Sequence, residues 1–209
     1  MNPEKNFFPK VEVTASEKEI HFAKAAEELF ALKEGAYFEY KLAEPKWEFL
    51  MYLSRNHPVL FHGTNIDVEA LEPRQGMCTS KAFGRLNAVY ATTDPIIPVF
   101  HSILNREEIS GEFVTETDER GEVDKRFGHN YTFQISRSIA NVGEKAFANG
   151  SLYILSRDGF EQGTDDEGRL IDEWVNQSSV RPLAKLRLNK EDFPFLSEVK
   201  ILEDQFPNK

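Results

Sequence analysis

Apolar positions along the chain follow two rhythms. Over residues 15–34, "ASEKEIHFAKAAEELFALKE", Phe22, Ala25, Ala26, Leu29 and Leu32 return every three or four residues, and Ser16 stands three before Glu19 as in a capping box. That spacing predicts a helix. "AYFEYKL" (36–42) alternates as a strand does, and "EPKWEFLMYLSRN" (44–56) returns to helical spacing through Trp47, Leu50, Met51 and Leu53. Residues 1–57 therefore read as an N-terminal helical support for a core spanning 58–209.

The core opens on "VLFHG" (59–63), an apolar strand that runs into His62, Gly63 and Thr64. A strand end with small polar residues is a place where backbone groups and short side chains can meet a ligand. "NIDVEALEP" (65–73) reads as a short helix stopped at Pro73, and 74–87 as a long loop with little periodicity. "AVYATTDP" (88–95) predicts a strand and turn leading into the apolar helix "PIIPVFHSILNRE" (95–107), in which Pro98 fits only the first turn. The polar run 107–128 reads as a surface excursion with hairpin character. "YTFQIS" (131–136), "SLYILS" (151–156) and "SVRPLAKLRL" (179–188) read as strands, with a polar loop over 157–174 between the last two. Helices first and strands later indicate an α+β fold with mainly antiparallel sheets.

Composition narrows the function. With 209 residues, 40% hydrophobic and seventeen Phe, the chain has enough apolar mass for one globular unit. A formal charge of −10 argues against duplex nucleic acid, which would be repelled. The single cysteine, Cys78, excludes an internal disulfide, and "MNPEKNFFPK" lacks the apolar run of a signal peptide, so the chain reads as cytoplasmic. No segment has the roughly 20 apolar residues of a membrane span. Neither G-x-G-x-x-G nor G-x-x-x-x-G-K-[ST] occurs, and the five histidines include no His-x-x-x-His pair, so neither a Rossmann or P-loop site nor a metal site is expected.

What remains is a set of residues in order along the chain: His62-Gly63-Thr64 at one strand end, Tyr90-Ala91-Thr92 in another, and Glu173 followed by Trp174 ahead of the Lys-containing "VRPLAKLRL". In this the region from about 58 to 190 resembles the ADP-ribosyltransferases of the His-Tyr-Glu type, which include diphtheria-toxin-like enzymes and the poly(ADP-ribose) polymerases. The resemblance implies split antiparallel β-sheets, NAD as substrate, no metal, and transfer of ADP-ribose to an unknown acceptor or to water.

It also implies roles. Glu173 would stabilise the oxocarbenium-like ribose as nicotinamide leaves, with Glu161 and Glu167 as competitors for that role. His62 would hydrogen-bond a ribose hydroxyl. Gly63 would offer its backbone N–H and C=O to the carboxamide, and the Tyr90 ring would stack on the nicotinamide. Thr64 and Thr92 complete the motif segments, and Arg85 or Lys81 would meet the NAD phosphates. The Arg-rich site of the related tRNA 2′-phosphotransferases is not matched in this acidic chain. The alternative is an inactive module that keeps the cleft and binds a nucleotide or a protein; a third reading makes the motif residues plain core. Cys78 stands in an unpatterned loop without a neighbouring His, so alkylating it should leave NAD turnover intact, and complete loss with the fold preserved would refute this.

Overall fold

The structure, a computed structural model, describes residues 16–76, 83–118, 123–165 and 167–202; Cys78 and Lys81 lie outside them. Helix α1 (Glu17–Phe30) begins with the capping box: Ser16 Oγ accepts from Glu19 N–H, and the Glu19 carboxylate accepts from Ser16 N–H at 2.8 Å. Its apolar face buries Phe22, Ala25, Ala26 and Leu29. Helix α2 (Lys46–Asn56) buries Phe49, Leu50, Met51 and Leu53, and the Phe22 and Phe49 rings meet at 5.7 Å. Both helices share one hydrophobic cluster with Val59, Phe61, Ile96 and Phe100, so the N-terminal helices and the sheets are built on one core.

Three antiparallel-based sheets follow. The first has the order β1 (Val59–Thr64), β6 (Gly150–Ser156), β9 (Ala184–Leu188). The second has the order β2 (Arg74–Gln75), β3 (Asn87–Ala91), β8 (Leu170–Asn176), β7 (Glu161–Thr164). The third pairs β4 (Phe113–Asp118) with β5 (Asn130–Ile135), to which β10 (Lys200–Ile201) adds in parallel. Helices α3 (Ile96–Ile103) and α4 (Arg137–Val142) complete an α+β architecture. Among the described residues no helix is long and apolar enough to cross a membrane.

The register of the first sheet divides it into two faces. Phe61, Ile154 and Ala184 align in one row, and Gly63, Leu152 and Leu186 in the next, facing the helices. On the other face lie the rows His62–Tyr153–Lys185 and Thr64–Ser151–Arg187. Helix α3 lies directly on the apolar face. A Cβ on Gly63 would stand 1.8 Å from the Pro98 carbonyl oxygen, and one on Gly150 would stand 1.8 Å from that of Ser102, one turn further along α3. Only residues without a side chain let the helix backbone approach so closely.

Four expectations are corrected. Residues 65–73 are not helical: Val68 N–H donates to Tyr153 Oη at 2.9 Å, and Leu71 exchanges backbone hydrogen bonds with Val180, so tertiary partners claim the groups a helix needs. The "AYFEYKL" segment forms only one bridge, Tyr37 with Lys185, because Phe38 and Tyr40 then turn onto the Phe49 ring at 5.8 and 5.5 Å. The polar stretch after Arg157 is the β7–β8 hairpin, closed where the Asp165 carboxylate accepts from the backbone N–H groups of Glu167 and Arg169. Glu173 consequently lies inside strand β8, not in a loop ahead of a strand. Of "SVRPLAKLRL", only 184–188 is strand, while Val180 meets Leu71.

Since the clash at Gly63 is with backbone and cannot be relieved by a rotamer, Gly63→Ala should destabilise the protein by roughly 3 kcal/mol, read from urea denaturation. An unchanged midpoint would show that α3 does not seat on β1 as described.

Candidate functional site

Strand β3 has two partners on one edge. β2 covers its beginning, where Arg74 pairs with Ala88, and β1 meets its end, where Phe61 N–H donates to the Thr92 carbonyl at 2.8 Å. Between these points β1 diverges, and His62 Nδ1 stands 2.7 Å from the Tyr90 carbonyl oxygen. The imidazole thus takes the place of a ladder hydrogen bond at the split between two sheets. A carbonyl can only accept, so Nδ1 carries the proton and Nε2 is the acceptor. Among the described residues Nε2 has no hydrogen-bond partner. Burial lowers the His62 pKa; the Tyr90 carbonyl partly offsets this, and the Arg74 charge adds to the lowering, so the ring is neutral at pH 7.

Tyr90 is half-buried on β3, opposite Val175 of β8. Its hydroxyl lies 3.0 Å from the carbonyl oxygens of both Phe83 and Leu86, which fixes the ring against the short helical turn Phe83–Arg85. Glu173, also half-buried, is two residues from Val175 and therefore on the same face, a diagonal neighbour of Tyr90. Glu161 is exposed on edge strand β7, opposite Val175 in the same row. Glu167 sits in the hairpin turn, 3.0 Å from Arg169, away from Tyr90. Arg85 is exposed at the end of the turn that holds the Tyr90 hydroxyl, and its carbonyl accepts from Gln75 Nε2.

The small residues have structural duties of their own. Gly63 is demanded by the contact with Pro98, a reason different from the ligand approach expected of it. Thr64 Oγ1 accepts from Ile66 N–H at 3.2 Å and closes the end of β1. Thr92 Oγ1 donates to Asp172 at 2.6 Å and accepts from Asp94 N–H at 3.1 Å, so its hydroxyl is committed to the turn between β3 and α3.

Several residues of this region were not singled out in the sequence. The Asp172 carboxylate, beside Glu173 on β8, also accepts from the N–H groups of Thr93 and Asp94 and from Trp174 Nε1, clamping β8 to the exit of β3. Asp94 caps α3 through Ile96 N–H at 2.8 Å and binds Tyr131 Oη at 2.7 Å and His129 Nε2 at 3.1 Å. Burial first, and then the Asp94 charge, raise the Tyr131 pKa, so Tyr131 stays a phenol. The capping role was legible in "TTDP", an Asp before a helix-opening Pro; the contacts from β5 and β8 were not. Among the described residues no group of three or more His, Cys, Asp or Glu side chains is placed to hold a metal ion.

A neutral imidazole, an anchored aromatic ring and a carboxylate on the adjoining strand can together bind a flat polar ligand and stabilise positive charge developing next to it. Comparison with known proteins finds no matching family model, no matching curated protein and no matching solved structure.

Behind His62, on α3, His101 is packed against the Phe113 ring at 5.3 Å with a buried Nε2 that has no hydrogen-bond partner among the described residues. Burial pulls its pKa down from 6.5 to about 3, and the Arg106 charge adds to this. Below pH 6.5 the unfolded chain takes up a proton that the folded protein refuses, so stability falls with falling pH. Between pH 6.5 and 5, above the carboxylate range, His101→Leu should flatten that decline by about one proton in the linkage slope. An unaltered slope in denaturation midpoints would refute the burial of a neutral His101.

Proposed function

We propose that the chain is an NAD-consuming enzyme of the His-Tyr-Glu type, with the split-sheet core of an ADP-ribosyltransferase, that breaks the bond between nicotinamide and ribose and passes ADP-ribose to an acceptor or to water. The observation that carries this reading is the 2.7 Å contact of His62 Nδ1 with the Tyr90 carbonyl at the point where β1 leaves β3, with Glu173 diagonal to Tyr90 on the next strand. Motif segments far apart in sequence thereby stand on three neighbouring strands, β1, β3 and β8.

Each side chain then has a defined task. His62, with Nδ1–H fixed by a carbonyl, presents Nε2 as an acceptor to a ribose hydroxyl. The Tyr90 ring, pinned through its hydroxyl, offers a face to the nicotinamide. Leaving nicotinamide is neutral and needs no strong acid; the demand is for negative charge near the ribose as the glycosidic bond lengthens. Glu173 meets that demand, and the Asp172 clamp holds β8 against β3 so that the carboxylate keeps its distance from Tyr90.

Glu173→Gln keeps the shape and removes the charge, so nicotinamide release should fall by roughly 10²-fold or more while NAD affinity changes little. Tyr90→Ala should instead weaken NAD binding by about 1 kcal/mol or somewhat more. Isothermal titration together with a nicotinamide-release assay separates the two defects. Full activity of Glu173→Gln would move the charge-stabilising role to Glu161 or to no residue, and failure of the folded wild type to bind NAD would overturn the enzyme reading.

A further inference from the structure

The polar face of the first sheet continues past His62 into a second group of side chains. Two residues along β1, Thr64 stands in one cross-strand row with Ser151 of β6 and Arg187 of β9. Tyr37, bridged to β9 at Lys185, lays its ring across this end of the sheet and shares a 2.7 Å hydrogen bond with Ser151 Oγ. The Arg187 guanidinium lies 4.0 Å from the centre of that ring and Lys185 Nζ lies 4.6 Å from it.

The two cations differ in how they are engaged. Lys185 is buried, ion-paired with Asp67 at 2.7 Å and hydrogen-bonded to the Val68 carbonyl at 3.3 Å. Asp67 thus neutralises Lys185. Arg187 is exposed, held flat by the tyrosine, and makes no ion pair among the described residues. In a chain with thirty-five acidic side chains against twenty-five Lys and Arg, an arginine pre-ordered by stacking, near Asp67 but not ion-paired with it, keeps its donor fork open to a ligand. Its donor fork suits phosphate oxygens, the buried Ser151 hydroxyl holds the Tyr37 platform in place, and the Thr64 hydroxyl adds a donor in the same row. Along the strand, His62 and Thr64 are separated by roughly 7 Å on the same face, within the reach of a single dinucleotide.

We propose that the Thr64–Ser151–Arg187 row, with Tyr37 as its platform, is the subsite for the diphosphate of the dinucleotide whose nicotinamide ribose lies at His62. This assignment rests on the NAD reading for the identity of its ligand. It places the phosphate contact on β9, and not on Arg85 or Lys81 before β3.

The test is calorimetric titration of the intact protein with ADP-ribose, with inorganic pyrophosphate and with nicotinamide alone, for wild type, Arg187→Gln and Arg187→Lys, each checked for an unchanged thermal midpoint. Wild type should bind all three probes. Arg187→Gln should weaken ADP-ribose and pyrophosphate by about 10-fold or more and leave nicotinamide unaffected. Arg187→Lys should recover only part of the loss, because it keeps the charge without the fork. Equal binding of ADP-ribose and pyrophosphate by wild type and Arg187→Gln, or no binding of either by wild type, overturns the subsite. Arg187-dependent pyrophosphate binding by a protein that ignores nicotinamide upholds the anion site and removes the NAD reading.

Discussion

The backbone of α3 touches the backbone of two strands. At Gly63 and Gly150 the helix carbonyls of Pro98 and Ser102 fill the space where side chains would stand. This contact brings α3 close enough for Ile96, Val99, Phe100 and Ile103 to be fully buried in the core shared with α1 and α2. It also fixes the end of β3, because only the four residues 92–95 separate Ala91 from the start of α3. Any outward shift of the helix would move the turn 92–95 and with it the separation between β1 and β3.

That separation is what lets a side chain enter between the two sheets. Had β1 followed β3 along its whole length, the Tyr90 carbonyl would have found a backbone N–H and His62 would have been an ordinary strand residue. Divergence turns the carbonyl over to the His62 imidazole, in keeping with the rule that backbone carbonyls inside a fold are paired. The imidazole supplies the proton, and the same bond fixes its tautomer. On the other side of β3, Asp172 gathers the donors of the turn and ties them to β8. Tyr90 is therefore held from both flanks by polar contacts whose donors come from separate segments of chain, a cooperative arrangement in which each bond presupposes the others.

Charge is distributed with similar economy. Three acidic groups near the candidate site are engaged as structural acceptors: Asp172 by the turn, Asp94 by Ile96, Tyr131 and His129, and Asp67 by Lys185. A chain of net charge −10 can bind an anionic ligand only where such carboxylates are neutralised and a cation is left over. On the polar face of the first sheet, Arg187 on the Tyr37 ring meets that condition.

Local pattern was sufficient for α1, with its Ser16–Glu19 box and clean apolar stripe, for α2, for the start of α3 at Pro95, and for the strands around His62, Tyr90 and Tyr153, because each of those signals is contained within a few adjacent residues. The order of His62, Tyr90 and Glu173 was likewise written in the chain. Tertiary structure alone decided that 65–73 would be extended, since Tyr153, Lys185 and Val180 compete for its polar groups from about a hundred residues away. It decided that the polar stretch containing Glu173 would be a strand: "LIDEW" has little apolar alternation of its own and takes strand form by pairing with Glu161–Thr164 on one side and, at Trp174, with Ala91 on the other. The reason is the same in each case. Hydrophobic periodicity reports what a segment buries, whereas a polar segment is shaped by the partners that complete its hydrogen bonds, and those partners exist only once the chain has folded.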